Sequence, residues 1–144
     1  MTHKKHETFF TSSAEETFHI GSQLGKELKP PCVVAFFGDL GAGKTTFIRG
    51  VASSLGIEEQ EVCSPTFAYL HIYQGTHSLY HFDLYRIPSE EEFIAAGFDE
   101  FLHAGGICCI EWSEKIASFL CSQKVYKISI AARSETTREI RIEF

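Results

Sequence analysis

Gly38-Asp39-Leu40-Gly41-Ala42-Gly43-Lys44-Thr45 fits the pattern G-x-x-x-x-G-K-[ST] at every fixed position. Shuffled chains of this composition would hold such a string in roughly 0.7% of cases, so its surroundings decide its meaning. Glycines let a loop fold with successive backbone N–H groups pointing into its hollow, and a helix that starts there adds its positive end. The chemistry is phosphate binding. Gly38, Asp39, Leu40, Gly41, Ala42 and Gly43 then form the cradle and Thr46 continues it. Lys44 reaches the β and γ phosphates of a nucleoside triphosphate, and the Thr45 hydroxyl ligates Mg²⁺.

Such a cradle needs a further acid for the metal, normally at the end of a neighbouring buried strand. Asp83 ends the run Leu79-Tyr80-His81-Phe82, and Glu111 ends Ile107-Cys108-Cys109-Ile110. Glu111 follows the cleaner apolar run and is the favoured metal-side acid, with Asp83 holding water or the metal from the other side. His81 and Arg86, close to Asp83, read equally well as residues with a chemical part and as salt-bridge and strand-end residues without one. Ser64-Pro65-Thr66-Phe67 lies downstream of the loop, where the Thr66 hydroxyl can sense a γ-phosphate; a plain strand start is the competing reading. Trp112 can stack on a base or a partner, or pack in the core.

These residues need elements to hold them. The apolar run 32–37 lacks alternation, as a central strand covered on both faces should. From Lys44 the pattern turns helical, with Phe47, Val51 and Leu55 on one face and Gly56 as C-cap. The phosphate motif thus sits between strand and helix. Before it, residues 8–11 read as a strand, and Ser13 with Glu16 makes a capping box for a helix carrying Ile20, Leu24 and Leu28 that stops at Pro30-Pro31. After it, strands at 66–73 and 79–85 flank a hairpin turn at Gln74-Gly75-Thr76-His77. A second capping box, Ser89 to Glu92, opens a helix with Phe93 and Ile94. A buried strand at 107–110, an amphipathic helix at 113–120 and strands at 125–131 and 139–144 follow, the last alternating Ile140, Ile142 and Phe144 with charge. The expected class is α/β, with a P-loop NTPase-type mixed sheet: parallel centre, antiparallel additions and flanking helices in a single domain, 1–144.

Composition agrees. The chain has 144 residues, 44% hydrophobic and 22% charged, with 13 Phe and a net charge of −6. That is enough apolar material for a core and too much for a solvated tail. An acidic pI near 5.6 argues against gripping nucleic acid directly, since phosphate contacts need clustered Lys and Arg. The 5 cysteines form no C-x-x-C pair, so neither a disulfide framework nor a zinc site is expected. The seven histidines are scattered and read as surface or core residues. Without a signal-like or membrane-spanning apolar stretch, a cytoplasmic protein is expected.

Taken together, Gly38 to Thr46, Ser64-Pro65-Thr66-Phe67, His81-Phe82-Asp83-Leu84-Tyr85-Arg86 and Ile110-Glu111-Trp112 closely resemble the TsaE family over nearly the whole chain. The His-Phe-Asp-Leu-Tyr-Arg string is the most specific piece, because generic phosphate-loop enzymes lack it. The resemblance implies an ATPase required to make threonylcarbamoyladenosine in tRNA, acting with TsaD-type and TsaB-type proteins that carry out the transfer. It implies ATP on Gly41 to Thr46, Mg²⁺ on Thr45 and Glu111, Thr11 near the adenine, and Arg138 approaching the nucleotide from the last hairpin. Phe67 departs from the tyrosine of many relatives, so no phenol role carries over. The acidic charge suits a subunit that meets tRNA only through its partners.

Two other classes are weighed against a partner-cycling ATPase. A small-molecule kinase needs a substrate pocket and usually an arginine-bearing lid, and this short chain has few arginines. A guanine-nucleotide switch acting by binding alone reads its base with Asn-Lys-x-Asp, and the chain contains no Asn.

Overall fold

The apolar run after Pro31 becomes β2 (Cys32–Phe37), buried from Cys32 to Phe36 in a computed structural model that describes residues 5–38, 41–65, 67–120 and 124–144. Its neighbours are β5 (Ile107–Glu111) and β6 (Val125–Ala132), both parallel to it. β4 (Ser78–Asp83) continues the parallel set beside β5. Antiparallel strands complete the edges: β3 (Leu70–Gln74) on β4, and β7 (Arg138–Glu143) on β6 with β1 (His6–Thr11) outside it. The order is β1-β7-β6-β2-β5-β4-β3 in one seven-stranded sheet, with the expected parallel centre and antiparallel additions.

Side chains alternate across a pleated sheet, and this sorts the strands into two layers. Val34, Phe36, Leu79, Ile107 and Cys109 face α1 (Ala14–Glu27) and α2 (Lys44–Ser54). Val33, Phe82, Cys108 and Ile110 face α3 (Glu90–Ala95) and two 3₁₀ segments, Phe98–His103 and Ser113–Leu120. By the same alternation His81 and Asp83 share the face of Leu79, and Glu111 shares that of Cys109. The acids therefore stand on the side where α2 begins.

The caps form as the sequence implies. Ser13 Oγ accepts from the Glu16 amide at 3.1 Å, while the Glu16 carboxylate turns back to the Ser12 hydroxyl at 2.6 Å, a bond that lowers its pKa. Ser13→Ala is expected to cost about 1 kcal/mol of stability, read as a lower urea midpoint; an unchanged midpoint would remove the cap from the account. Ser89 caps α3 in the same way, accepting from the Glu92 amide.

α1 differs from expectation in its buried face. Leu24 and Leu28 are in the core, but Ile20 is only partly buried, and the line of contact with α2 runs through Thr17, Gly21, Leu24 and Gly25. A Cβ on Gly21 would lie 2.1 Å from the Phe47 carbonyl oxygen, and one on Gly50 only 2.0 Å from that of Phe18. At these two glycines the helices meet backbone to backbone, which leaves no room there for a Cβ.

Other elements are shorter or tighter than the sequence pattern implies. β3 starts at Leu70, because Tyr69 sits at φ 66 in a turn whose amide bonds the Pro65 carbonyl at 2.8 Å. The expected helix at 113–120 is a 3₁₀ segment broken at Ile116, with φ −130, which seats that side chain in the core.

Candidate functional site

The phosphate motif occupies the turn from β2 into α2. Gly38 has φ 138 and passes so close to β6 that a Cβ would lie 2.4 Å from the Ile130 carbonyl oxygen, so only glycine fits. Gly41 and Gly43 also hold positive φ, and Gly43 is the N-cap of α2 without any side-chain cap. The first amides of a helix have no intrahelical acceptor, and the residues of this turn line a cleft. Asp39 and Leu40 lie outside the described residues.

Lys44 is 4% exposed. Its Nζ donates to the Gly38 carbonyl at 2.8 Å and stands 4.1 Å from the centre of the Trp112 ring. Carbonyl and π-face hold the ammonium at the loop mouth. Trp112 reaches this place through a left-handed backbone, φ 61, directly after Glu111, and Tyr85 packs against its ring at 5.0 Å. The Trp112 ring is a wall of the cleft.

Strand register brings the acids together. Asp83 and Glu111 are direct partners across β4 and β5. The Thr45 hydroxyl lies 3.5 Å from Glu111 Oε2, and His81 Nε2 lies 2.7 Å from the same oxygen. Asp83 is held separately: Ser64 Oγ donates to Oδ2 at 2.9 Å and the Tyr85 amide to Oδ1 at 3.0 Å. Gly41, Lys44, Thr45, Ser64, Asp83 and Glu111 line one open cleft of about 310 Å³. Thr66 lies outside the described residues.

A hydroxyl and a carboxylate oxygen side by side are hard donors suited to Mg²⁺, which usually takes few protein ligands and completes its shell with phosphate oxygens and water. Thr45 and Glu111 fit that donor set. The described residues contain no group of three or more His, Cys, Asp or Glu able to cage a metal.

A second cavity, of about 200 Å³, opens on the other side of the first turn of α2 and shares Gly43 and Thr46 with the first. Ser13, Thr17, Thr136 and Arg138 also line it. Arg138 Nε donates to the Ala42 carbonyl at 2.9 Å, tying the last hairpin to the phosphate loop. Thr11 is buried one side chain behind the wall, its hydroxyl 2.8 Å from that of Thr17.

His81 forms the ion pair that one of its readings allowed, 2.7 Å from Glu111, but three pairings in the site escape a reading of the residues alone. That of His81 with Glu111 could have been found, since His81 stands two positions before Asp83 on a strand and so shares its face. Ser64 reaches Asp83 across a separation of 19 residues with no local signal. The Trp112 contact depends on a positive φ that no composition rule anticipates. His77 and His81 have the four-residue spacing of a helical ligand pair, but they sit on a hairpin turn and a strand. Arg86 instead covers the Phe67 ring, 4.8 Å from its centre. The described cysteines are free, and burial pushes the Cys32 thiol up to about 11 and that of Cys108 up to about 12, leaving both unreactive.

Comparison with known proteins identifies the family. The family model described as "Threonylcarbamoyl adenosine biosynthesis protein TsaE" matches residues 11–140. The chain is 42% identical over 130 residues to the tRNA threonylcarbamoyladenosine biosynthesis protein TsaE of Treponema pallidum, covering 90% of this chain and 95% of that one. It is 40% identical over 131 residues to the protein of the same name from Bacillus subtilis, covering 90% of this chain and 80% of that one. The crystal structure of Bacillus subtilis YdiB matches with a TM-score of 0.76 at 32% identity, over 99% of this chain and 88% of that chain. With a family model spanning the loop, both acids and Arg138, and with relatives matched over most of their length, the chain belongs to the TsaE family.

Proposed function

We propose that this chain binds and hydrolyses ATP in the biosynthesis of tRNA threonylcarbamoyladenosine, as a cytoplasmic single-domain subunit serving TsaD-type and TsaB-type proteins. The observation that carries the reading is the convergence of Lys44, Thr45, Asp83 and Glu111 on one cleft in a member of the TsaE family. The names of the relatives supply the pathway, and the cleft supplies the chemistry.

In this reading the amides of the Gly41 to Thr46 turn hold the phosphates, and Lys44 exchanges the Gly38 carbonyl for the β and γ oxygens. Mg²⁺, held by Thr45 and Glu111 when bound, supplies neutralisation of phosphate charge. Asp83, fixed by Ser64 and the Tyr85 amide, orients the attacking water by accepting a hydrogen bond from it. The base takes the cavity beside Ser13, Thr17 and Thr136, under the hairpin that Arg138 anchors.

No arginine among the described residues lines the cleft of the two acids. Arg138 is occupied with loop carbonyls and Arg86 with Phe67. An arginine at the transferred phosphoryl group is worth orders of magnitude in rate, so turnover by the isolated chain is slow and rises when a partner covers the cleft. With a net charge of −6, the chain meets tRNA through those partners. No helix among the described residues is long and apolar enough to cross a membrane.

Phosphate release from ATP and from GTP, measured alone and with TsaD-type plus TsaB-type proteins, tests the proposal. ATP-selective turnover that rises at least about tenfold with the partners is the expected result. Binding without turnover under every condition would leave a nucleotide-dependent binding switch, and a phosphorylated small acceptor among the products would make the chain a kinase.

A further inference from the structure

We propose that His81 is a positioning residue that sets the orientation of the Glu111 carboxylate toward Thr45, and through it the site's affinity for the divalent cation. The inference rests on the nucleotide reading of the cleft and assigns a part of the site to a residue that touches neither nucleotide nor metal.

His81 is fully buried, and burying an imidazole is costly unless its nitrogens are satisfied. Its Nε2 lies 2.7 Å from Glu111 Oε2, the short distance of a bond to a charged acceptor. Its Nδ1 has no hydrogen-bond partner among the described residues. Nε2 is the nitrogen that reaches the carboxylate, and no bond at Nδ1 turns the ring elsewhere.

The strands explain how the contact arises. His81 is paired in register with Cys109, and Asp83 with Glu111, so His81 and Glu111 are diagonal neighbours on one face. The ring leans along the strand to reach the next acid. His81 is mounted on a strand paired on both edges, which makes the ring a rigid prop. A carboxylate at a strand end can rotate about its own bonds; this one has an oxygen pinned beside the Thr45 hydroxyl, 3.5 Å away. Partners that orient a ligating group in this way commonly account for about 10- to 100-fold in metal affinity or activity.

Three variants separate positioning from packing. His81→Gln carries an amide donor close to the place of Nε2, His81→Asn carries one nearer Nδ1, and His81→Leu keeps volume without a donor. The readout is fluorescence of Trp112, the single tryptophan, during Mg²⁺ titration at saturating ADP, alongside ADP titration in EDTA and a thermal melt. Expected are a rise of about 10-fold or more in half-saturating Mg²⁺ for Leu and Asn, a value within about threefold of wild type for Gln, and unchanged ADP affinity in EDTA. Wild-type Mg²⁺ dependence in the Leu or Asn variant would overturn the proposal. So would equal impairment of Gln and Asn, or a loss of ADP affinity in EDTA as large as the Mg²⁺ effect. If the Leu variant fails to fold, the Gln and Asn pair still decides. A wild-type protein that never responds to ADP and Mg²⁺ would instead overturn the nucleotide reading, and the role of His81 with it.

Discussion

Lys44→Ala is expected to lower ATP turnover by a factor of about 10² to 10³ while leaving the fold intact. The ammonium is the one side-chain cation lining the cleft among the described residues, and in the proposed function it stands where phosphoryl charge develops. Its structural share is small by comparison. Removing it frees the Gly38 carbonyl and the face of Trp112, contacts that together are worth on the order of 1–2 kcal/mol. Lys44→Arg should do nearly as badly, because a planar fork does not replace a point charge in a loop this tight. Phosphate release measured beside a thermal melt checks the claim. A folded alanine variant that retains turnover within about threefold would show that the loop does not serve as a phosphate cradle.

Gly50→Ala is expected to destabilise the protein by about 3 kcal/mol or more, and the opposing expectation makes the test sharp. Helix propensity alone says that alanine in the interior of α2 should stabilise by up to about 1 kcal/mol. The seam says otherwise: the new Cβ would sit 2.0 Å from the Phe18 carbonyl oxygen and 2.8 Å from the Ser22 amide nitrogen. Both are backbone atoms of α1, which cannot swing aside as a side-chain tip can, so the helices must separate and lose packing along their contact. Urea denaturation gives the sign directly. A raised midpoint would mean that the helices are not in backbone contact in solution. Because α2 also carries Lys44 and Thr45 at its N-terminus, a spread seam should weaken nucleotide binding from a distance.

The phosphate loop was legible because its chemistry is local: glycine positions, lysine and threonine are fixed by contiguous backbone geometry. The strand ends carrying Asp83 and Glu111 were legible for a related reason, since a buried apolar run that stops at an acid marks where a strand leaves the core. The helix seam was hidden. Ile20 is the larger apolar residue and takes the core side in any periodicity count, yet Gly21 and Gly25 own the contact because close approach rewards the absence of a side chain. The turn at Tyr69 and the kink at Ile116 were hidden too, because both override the local pattern for tertiary reasons. Ser64, His81 and Trp112 complete the site through pairings that cross the sheet or cross from a strand to a loop, which adjacency in the sequence does not encode.

The pairing of Asp83 with Glu111 also bears on how such a chain can change length over evolutionary time. Removing one residue of β4 ahead of His81 would turn His81 and Asp83 to the opposite side of the sheet, into the layer of Phe93, and bring Phe82 toward the loop. Every strand could still pair and the chain could still fold, with no acid facing Glu111. Insertions and deletions among homologues should therefore collect at the 75–77 turn, where an extra residue changes no side-chain direction, and be missing between Ser78 and Asp83. Drift in length is tolerated only where it does not change which side of the sheet a residue faces.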